Sequence, residues 1–252
     1  PRGRVEPLVP DQFTLWLDPI TQEATVRAYA ERCDAVTVDG VTREVIWAAF
    51  RVDLADGCAG EPEDSEERTQ CESEPHPRVH LDTYQFFIAY NDPDLVRLFQ
   101  KVGATTKEVV FVEDLIFNLD PVLRTFSFVA PAPTPSPFKI SAMVGAPVVG
   151  PLDLDLHEWG AVPRGLFKVG DPNDVSVLLG PAKGTLSVEA NSEMAKILCA
   201  TQISDLDEGY RELSWEDEEA GIVSFDSQFA VHAVDSPDTP SSPTEAEHCP
   251  KT

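Results

Sequence analysis

Ala35-Val-Thr-Val-Asp-Gly-Val-Thr-Arg-Glu-Val-Ile-Trp47 sets β-branched residues among polar ones on both sides of Asp39-Gly40. Asp-Gly tolerates the positive φ angles of a tight hairpin turn, and the flanking pattern suits two half-buried strands. A β-hairpin over 35–53 is therefore expected. Upstream, Phe13, Leu15 and Leu17 alternate with Thr14, Trp16 and Asp18 until Asp18-Pro19 stops the run, and Val26, Ala28 and Ala30 alternate again before Cys33. Downstream, Val79 to Tyr90, Glu108 to Leu119 and Thr125 to Ala130 carry the aromatic and β-branched residues of strands.

One helix stands out. Asn91-Asp-Pro-Asp94 supplies capping side chains and a first-turn proline, Leu95, Val96, Leu98, Phe99 and Val102 form one apolar stripe, and Gly103 fits a C-terminal cap. A second, shorter helix is expected from Asn191 to Cys199. Further strands are expected at Phe138–Val144, Leu152–Leu156, Leu166–Val169, Val175–Leu179, Thr185–Val188 and Ile222–Val234, separated by Gly and Pro turns. Many short strands at regular spacing predict a mainly β fold, with antiparallel sandwich-like sheets and one or two short helices.

Pro131, Pro133, Pro135 and Pro137 remove ladder donors and favour an extended conformation. The segment 131–137 reads in one of two ways. It is either a linker between a β-rich N-terminal region (1–130), with an acidic loop at 54–78, and a β-rich C-terminal region (138–234), or a crossover between two sheets of one domain. Residues 235–252 are rich in Ser, Pro, Thr and Glu and have too little apolar surface to order themselves, so a disordered tail is expected. Leu17-Asp-Pro-Ile20 and Leu119-Asp-Pro-Val122 echo each other. A strand-ending Asp-Pro turn arising twice explains that match better than a duplicated unit.

The chain has 44 acidic and 19 basic residues and a formal charge of −25. Such a surface repels nucleic-acid phosphates, which excludes nucleic acid as an expected partner. No run of 18 apolar residues exists to cross a bilayer as a helix. The first residue is Pro1, with no Met and no leader-like apolar stretch, so a removed leader or a fragment is expected.

Cysteines lie at 33, 58, 71, 199 and 249, with no zinc-type spacing. Cys58 and Cys71 bracket a polar, acidic segment that gains nothing from burial, whereas closing a loop of that size contributes about 3 kcal/mol. A Cys58–Cys71 disulfide is expected, and with it a compartment outside the reducing cytosol. The pairing of Cys33, Cys199 and Cys249 is open.

No nucleophile elbow, dinucleotide fingerprint, Walker-type loop or zinc-protease motif is present. Asp153, Asp155 and His157 share one face of a strand and could bind a divalent metal, with Glu158 beside them; the same alternation describes a half-exposed edge strand. Asp171, Asn173 and Asp174 offer oxygen ligands of the Ca²⁺ type, as do Asn91–Asp94 and Asp205–Glu208, although Asp and Asn are also ordinary turn residues. No other cofactor is expected. Glu216-Asp-Glu-Glu219 reads as a solvated loop.

The function expected is that of a secreted or cell-envelope binding or assembly module without catalysis, meeting a protein partner or a second copy. Two alternatives stand beside it. One is an enzyme with an unfamiliar acidic and histidine site at 153–158. The other is an intracellular protein of a high-salt organism with reduced cysteines.

Overall fold

The computed structural model describes residues 2–38, 41–56, 58–60, 63–73, 79–101, 104, 109–120, 122–132, 134–144, 154–162, 165–169, 174–179, 182–200, 202–203, 210–217, 221–226 and 231–235. Along the chain these form α1 (Arg2–Val5), β1 (Val26–Val38), β2 (Val41–Asp53), α2 (Glu66–Ser73), β3 (Val79–Tyr90), α3 (Pro93–Lys101), β4 (Val109–Phe111), β5 (Ile116–Asp120), β6 (Thr125–Ala130) and β7 (Phe138–Val144). There follow β8 (Leu154–Val162), β9 (Gly165–Val169), β10 (Asp174–Leu179), β11 (Ala182–Glu189), α4 (Glu193–Ile197), β12 (Gln202–Ile203), β13 (Tyr210–Asp217), β14 (Gly221–Asp226) and β15 (Val231–Asp235).

The fold is mainly β. A large sheet runs β1-β2-β3-β8-β9-β15, with β4 also on β3; a second sheet runs β12-β13-β11-β7-β6-β5; β10 and β14 pair separately. Most pairings are antiparallel, as expected, but β3 runs parallel to both β4 and β8. Both neighbours lie along one flank of β3: Ile88–Tyr90 pair with β4, and Val79–Gln85 pair with β8.

The expected hairpin forms, with Val38 opposite Val41; Asp39 and Gly40 themselves lie outside the described residues. Even-numbered β2 residues Ile46, Ala48 and Phe50 enter a core with Phe87 and Ala89 of β3, Phe128 and Ala130 of β6, Phe138 and Ile140 of β7, and Leu186 and Val188 of β11. The second sheet alternates cleanly across its strands. Phe117, Phe128, Ile140, Leu186 and Leu213 are aligned in one row, and Asn118, Ser127, Ser141, Thr185 and Ser214 in the next. Burial of Phe128, Ile140 and Leu186 turns the first row inward, so Ser127, Ser141 and Thr185 face away from the core. At one corner Arg32 of β1 lies over the Phe117 ring of β5, at 5.8 Å from its centroid.

A bulge lets β3 serve two cores. Phe50 faces Phe87 and Arg51 faces Gln85, which leaves Phe86 as the extra residue and shifts the side-chain alternation by one. Beyond it, Val52 and Tyr84 join Val5, Val9, Phe13, Leu15, Leu54, Ala59 and Ile197 in a second apolar cluster. Above it, Val45, Ala49, Ile88 and Tyr90 meet Leu95, Val96 and Phe99 of α3 on the opposite face of the sheet.

Several expectations are corrected. Phe13 and Leu15 are buried, but the segment makes only single bridges, Leu15 to Leu54 and Leu17 to Ala24, instead of a strand. The run 108–119 breaks between β4 and β5. The acidic segment contains α2, whose start is capped by the Ser65 hydroxyl accepting from the Arg68 N–H at 3.0 Å. Residues 131–137 connect neighbouring strands of one sheet, since Ala130 faces Phe138, rather than carrying the chain between sheets; one core draws on strands before and after them. The run 222–234 divides between β14 and β15, which pair in different sheets. Residues 236–252 lie outside the described residues.

Candidate functional site

The residue pattern of β2 puts charge where a sheet face is covered. Arg51 and Asp53 alternate with the core residues Phe50 and Val52, so they project from the opposite face, yet each is less than a tenth exposed. Asp53 accepts two parallel hydrogen bonds from Arg27 of β1, Nε to Oδ1 at 2.7 Å and Nη2 to Oδ2 at 2.8 Å. Arg51 stacks its guanidinium 4.4 Å from the Tyr29 ring centroid.

From Tyr29 the polar track runs along β1. The Tyr29 hydroxyl donates to Glu31 Oε2 at 2.5 Å, and the Cys33 thiol donates to Glu31 Oε1 at 2.9 Å. Burial, with Glu31 and Asp34 nearby, pushes the Cys33 thiol far above its ordinary range, which favours the protonated form that donates to Glu31. Cys33 is the free cysteine among the described residues. Trp47 packs 5.0 Å from the Tyr29 ring and 5.6 Å from Tyr90, which stacks in turn on Phe99.

Across the sheet, Gln85 faces Arg51 and Thr83 faces Asp53. Thr83 is fully buried and its hydroxyl has no hydrogen-bond partner. On the far flank of β3, the β8 register sets Glu158 beside Thr83, His157 beside Asp82 and Asp155 beside His80. β8 also pairs with β9 from Glu158 to Val162, so it is interior there, whereas Leu154–His157, which holds Asp155 and His157, pairs with β3 alone among the described residues.

The proposed metal residues divide. Asp155 and His157 belong to β8, Asp174 opens β10 in a separate strand pair, and Asp153, Asp171 and Asn173 lie outside the described residues. Among the described residues no three His, Cys, Asp or Glu side chains gather as a metal group. Asn91–Asp94 acts as a helix start. Asp92 Oδ1 accepts from the Asp94 and Leu95 N–H groups at 2.8 and 2.9 Å, and Asn91 Oδ1 accepts from Ile46 at 2.8 Å. Arg43 pairs Nε with Asp92 Oδ2 at 2.9 Å and Nη2 with Asp94 Oδ2 at 2.7 Å, and holds the Asp94 carboxyl below its usual range. Those oxygens are already engaged. Glu216 and Asp217 continue β13, opposite Lys183 and Ala182, while Glu218 and Glu219 lie outside the described residues, as do Asp205–Glu208.

Cys58 and Cys71 form the expected disulfide, with S–S 1.99 Å and Cα–Cα 5.8 Å. The bracketed segment is not wholly solvated, because Cys58 and Ala59 are buried, Ala59 against the second apolar cluster. Among the described residues no helix is long and apolar enough to cross a membrane, which says nothing of a β-barrel.

Two loops share one construction. Asp18 Oδ1 accepts from the N–H groups of Ile20 and Thr21, and Asp120 Oδ1 from those of Val122 and Leu123. Four residues after each aspartate the chain turns through positive φ, 60° at Gln22 and 54° at Arg124. The tips hold aliphatic side chains in solvent: Ile20 is 89 % exposed, Val122 87 % and Leu123 67 %. Thr125 aligns with Met143, itself exposed, so the second tip lies at that end of the second sheet.

The Asp-Pro echo was visible in the sequence, but the Arg27–Asp53 pair was not. Its only signal was a pair of charges interrupting the apolar run of β2. No protein-family model matches this chain, no curated protein matches it, and no solved structure matches it.

Proposed function

We propose that the protein is a non-catalytic binding or assembly module of β-sandwich type, secreted or held in the cell envelope, that meets a protein partner through its loops. The observation that supports this is the matched pair of Asp-Pro loops. Each uses an aspartate cap to fix the backbone beneath an aliphatic residue left in solvent, and loops on a rigid sandwich are where such modules carry recognition. The Cys58–Cys71 disulfide supports an oxidising compartment and weighs against the high-salt intracellular alternative. The test is chemical cross-linking of the purified protein to secreted and surface proteins of the cells that make it, with sedimentation for self-association. An Ile20→Ser, Val122→Ser, Leu123→Ser variant should lose the specific adducts or the self-association. Unchanged adducts and sedimentation in that variant would overturn the proposal.

A second reading, an enzyme using the β3–β8 strip, is favoured by the unpartnered Thr83 hydroxyl between Asp53 and the β8 position of Glu158. It requires a turnover that His157→Ala and Glu158→Gln abolish without changing thermal unfolding.

A further inference from the structure

We infer that the loop between β5 and β6 is an interfacial anchor, which seats Val122 and Leu123 at the acyl boundary of a phospholipid surface while Arg124 and Lys183 meet the headgroup phosphates. This rests on the reading of a secreted or envelope protein and deepens it: the second Asp-Pro loop goes to lipid, and the first keeps the protein partner.

The two loops differ where their side chains meet solvent. Aligned on the aspartates, Leu17-Asp-Pro-Ile-Thr-Gln-Glu23 follows its proline with one aliphatic residue and ends on an acid, whereas Leu119-Asp-Pro-Val-Leu-Arg-Thr125 carries two aliphatic residues and a cation. Asp120 Oδ1 braces the second tip by accepting from the Val122 and Leu123 N–H groups at 2.8 and 2.9 Å. Thr125, Met143 and Lys183 align across β6, β7 and β11, two residues along from Ser127, Ser141 and Thr185, so they share the outer face of the second sheet. Met143 and Lys183 are exposed there, and Arg124 is exposed in the loop.

Charge selects the occupant. Arg2, Arg27, Arg32, Arg43, Arg68 and Arg97 each hold a carboxylate within 3.2 Å. Arg124 and Lys183 hold none among the described residues, although the register sets Glu216 opposite Lys183. A projecting tip of Val and Leu is a poor anchor for a protein interface, where Trp, Tyr and Arg packed in pockets supply most of the binding. A headgroup boundary suits it better, because aliphatic ends enter the acyl region while neighbouring cations reach phosphate. Zwitterionic phosphatidylcholine offers those phosphates without a net negative charge to repel a chain at −25.

The test is co-sedimentation of the purified full chain with phosphatidylcholine vesicles and no partner protein, so a failure here leaves the cross-linking result standing. Wild type should pellet with the vesicles. Val122→Ser, Leu123→Ser should bind about tenfold more weakly, since it removes most of the inserted apolar surface. Arg124→Gln, Lys183→Gln should also bind more weakly, and Ile20→Ser should match wild type. Leu123→Trp should add emission that brominated phosphatidylcholine quenches, and soluble phosphocholine should not compete. Wild type left in the supernatant, either paired variant binding as wild type, or added Leu123→Trp emission that brominated lipid leaves unquenched would overturn the inference. Competition by phosphocholine, or a loss in Ile20→Ser as large as in the serine pair, would overturn it too.

Discussion

Asp18 and Asp120 occupy equivalent positions in two loops a hundred residues apart, and each spends one carboxylate oxygen on the N–H groups two and three residues ahead, at distances between 2.7 and 2.9 Å. The bracing satisfies donors that a turn leaves without a ladder partner and fixes the direction in which Ile20 and Val122 emerge. Leu17 faces Ala24 and Leu119 faces Phe126, so the loops close at the same separation. Side-chain chemistry local to Leu-Asp-Pro accounts for the repeat, without a duplicated domain.

The first prediction concerns pH. Hydrogen bonds from the Thr21 and Ile20 backbone, then from the Thr21 hydroxyl, lower the Asp18 pKa below its ordinary value. With the folded pKa below an unfolded value of about 3.9, the unfolded chain takes up the proton first as pH falls. The stabilisation is complete above that unfolded value and is lost as pH drops through the folded one. The urea midpoint of Asp18→Ala should therefore lie below wild type at pH 7 and approach it at pH 3. A gap of constant size across that range would refute the account.

Phe138 tests the core. It is fully buried and touches three rings, with centroids 4.7 Å from Phe50, 5.3 Å from Phe128 and 6.4 Å from Phe87. Phe138→Ala should cost about 3–5 kcal/mol by denaturant unfolding, the range for aromatic truncation in a close-packed interior. Val122→Ser, at an exposed tip, should stay within about 0.5 kcal/mol. Similar losses in the two variants would contradict the packing described.

The Arg27–Asp53 pair has an exposed end and a buried one, with side-chain exposures of 40 % and 9 %. Its worth should fall between a surface pair and a buried one. A double-mutant cycle with Arg27→Met and Asp53→Ala should give a coupling of about 1–3 kcal/mol. A coupling near zero would mean that solvent screens the pair despite its bidentate geometry.

Reduction offers a fourth prediction. Cys58→Ala, Cys71→Ala should lower unfolding free energy by about 3 kcal/mol, as expected for the removal of a short covalent loop. It should also release Ala59 from the second apolar cluster, seen as early amide exchange in residues 58–73 ahead of global unfolding. Exchange unchanged in that segment would show that its packing holds without the bond.

Cys33 provides the last. Burial is the first cause of its raised pKa and the Glu31 charge the next, so removing that charge should make thiolate more available. Glu31→Gln should react with iodoacetamide faster than wild type at pH 8 in the folded state. An equal or slower rate would show that burial alone governs the thiol.

What the sequence revealed was what short segments dictate. The pairing of β1 with β2 on either side of residues 39–40 and the Asp92 helix start depend on a few adjacent residues, and both lie where expected. α2 escaped notice because Glu66–Ser73 has almost no apolar stripe; the Ser65 cap, an Arg68–Glu72 ion pair and the disulfide accompany it instead. The Arg27–Asp53 contact spans 26 residues, and the pairing of β3 with β8 depends on a register that no local pattern encodes. For the same reason, the alternation of Asp155 and His157 announced a strand without saying that it would run parallel to β3.

The fork at β3 has a consequence for how the chain matures. Gln85 is the last residue to pair with β8 and Ile88 the first to pair with β4, so the strand changes neighbour at its own bulge. Its upper reach is completed as soon as β4 emerges, but its lower reach stays bare until Leu154–Gly160 has been made. During synthesis, Val79–Gln85 thus lacks its parallel neighbour until β8 has emerged, an open edge of the kind that invites pairing with another chain.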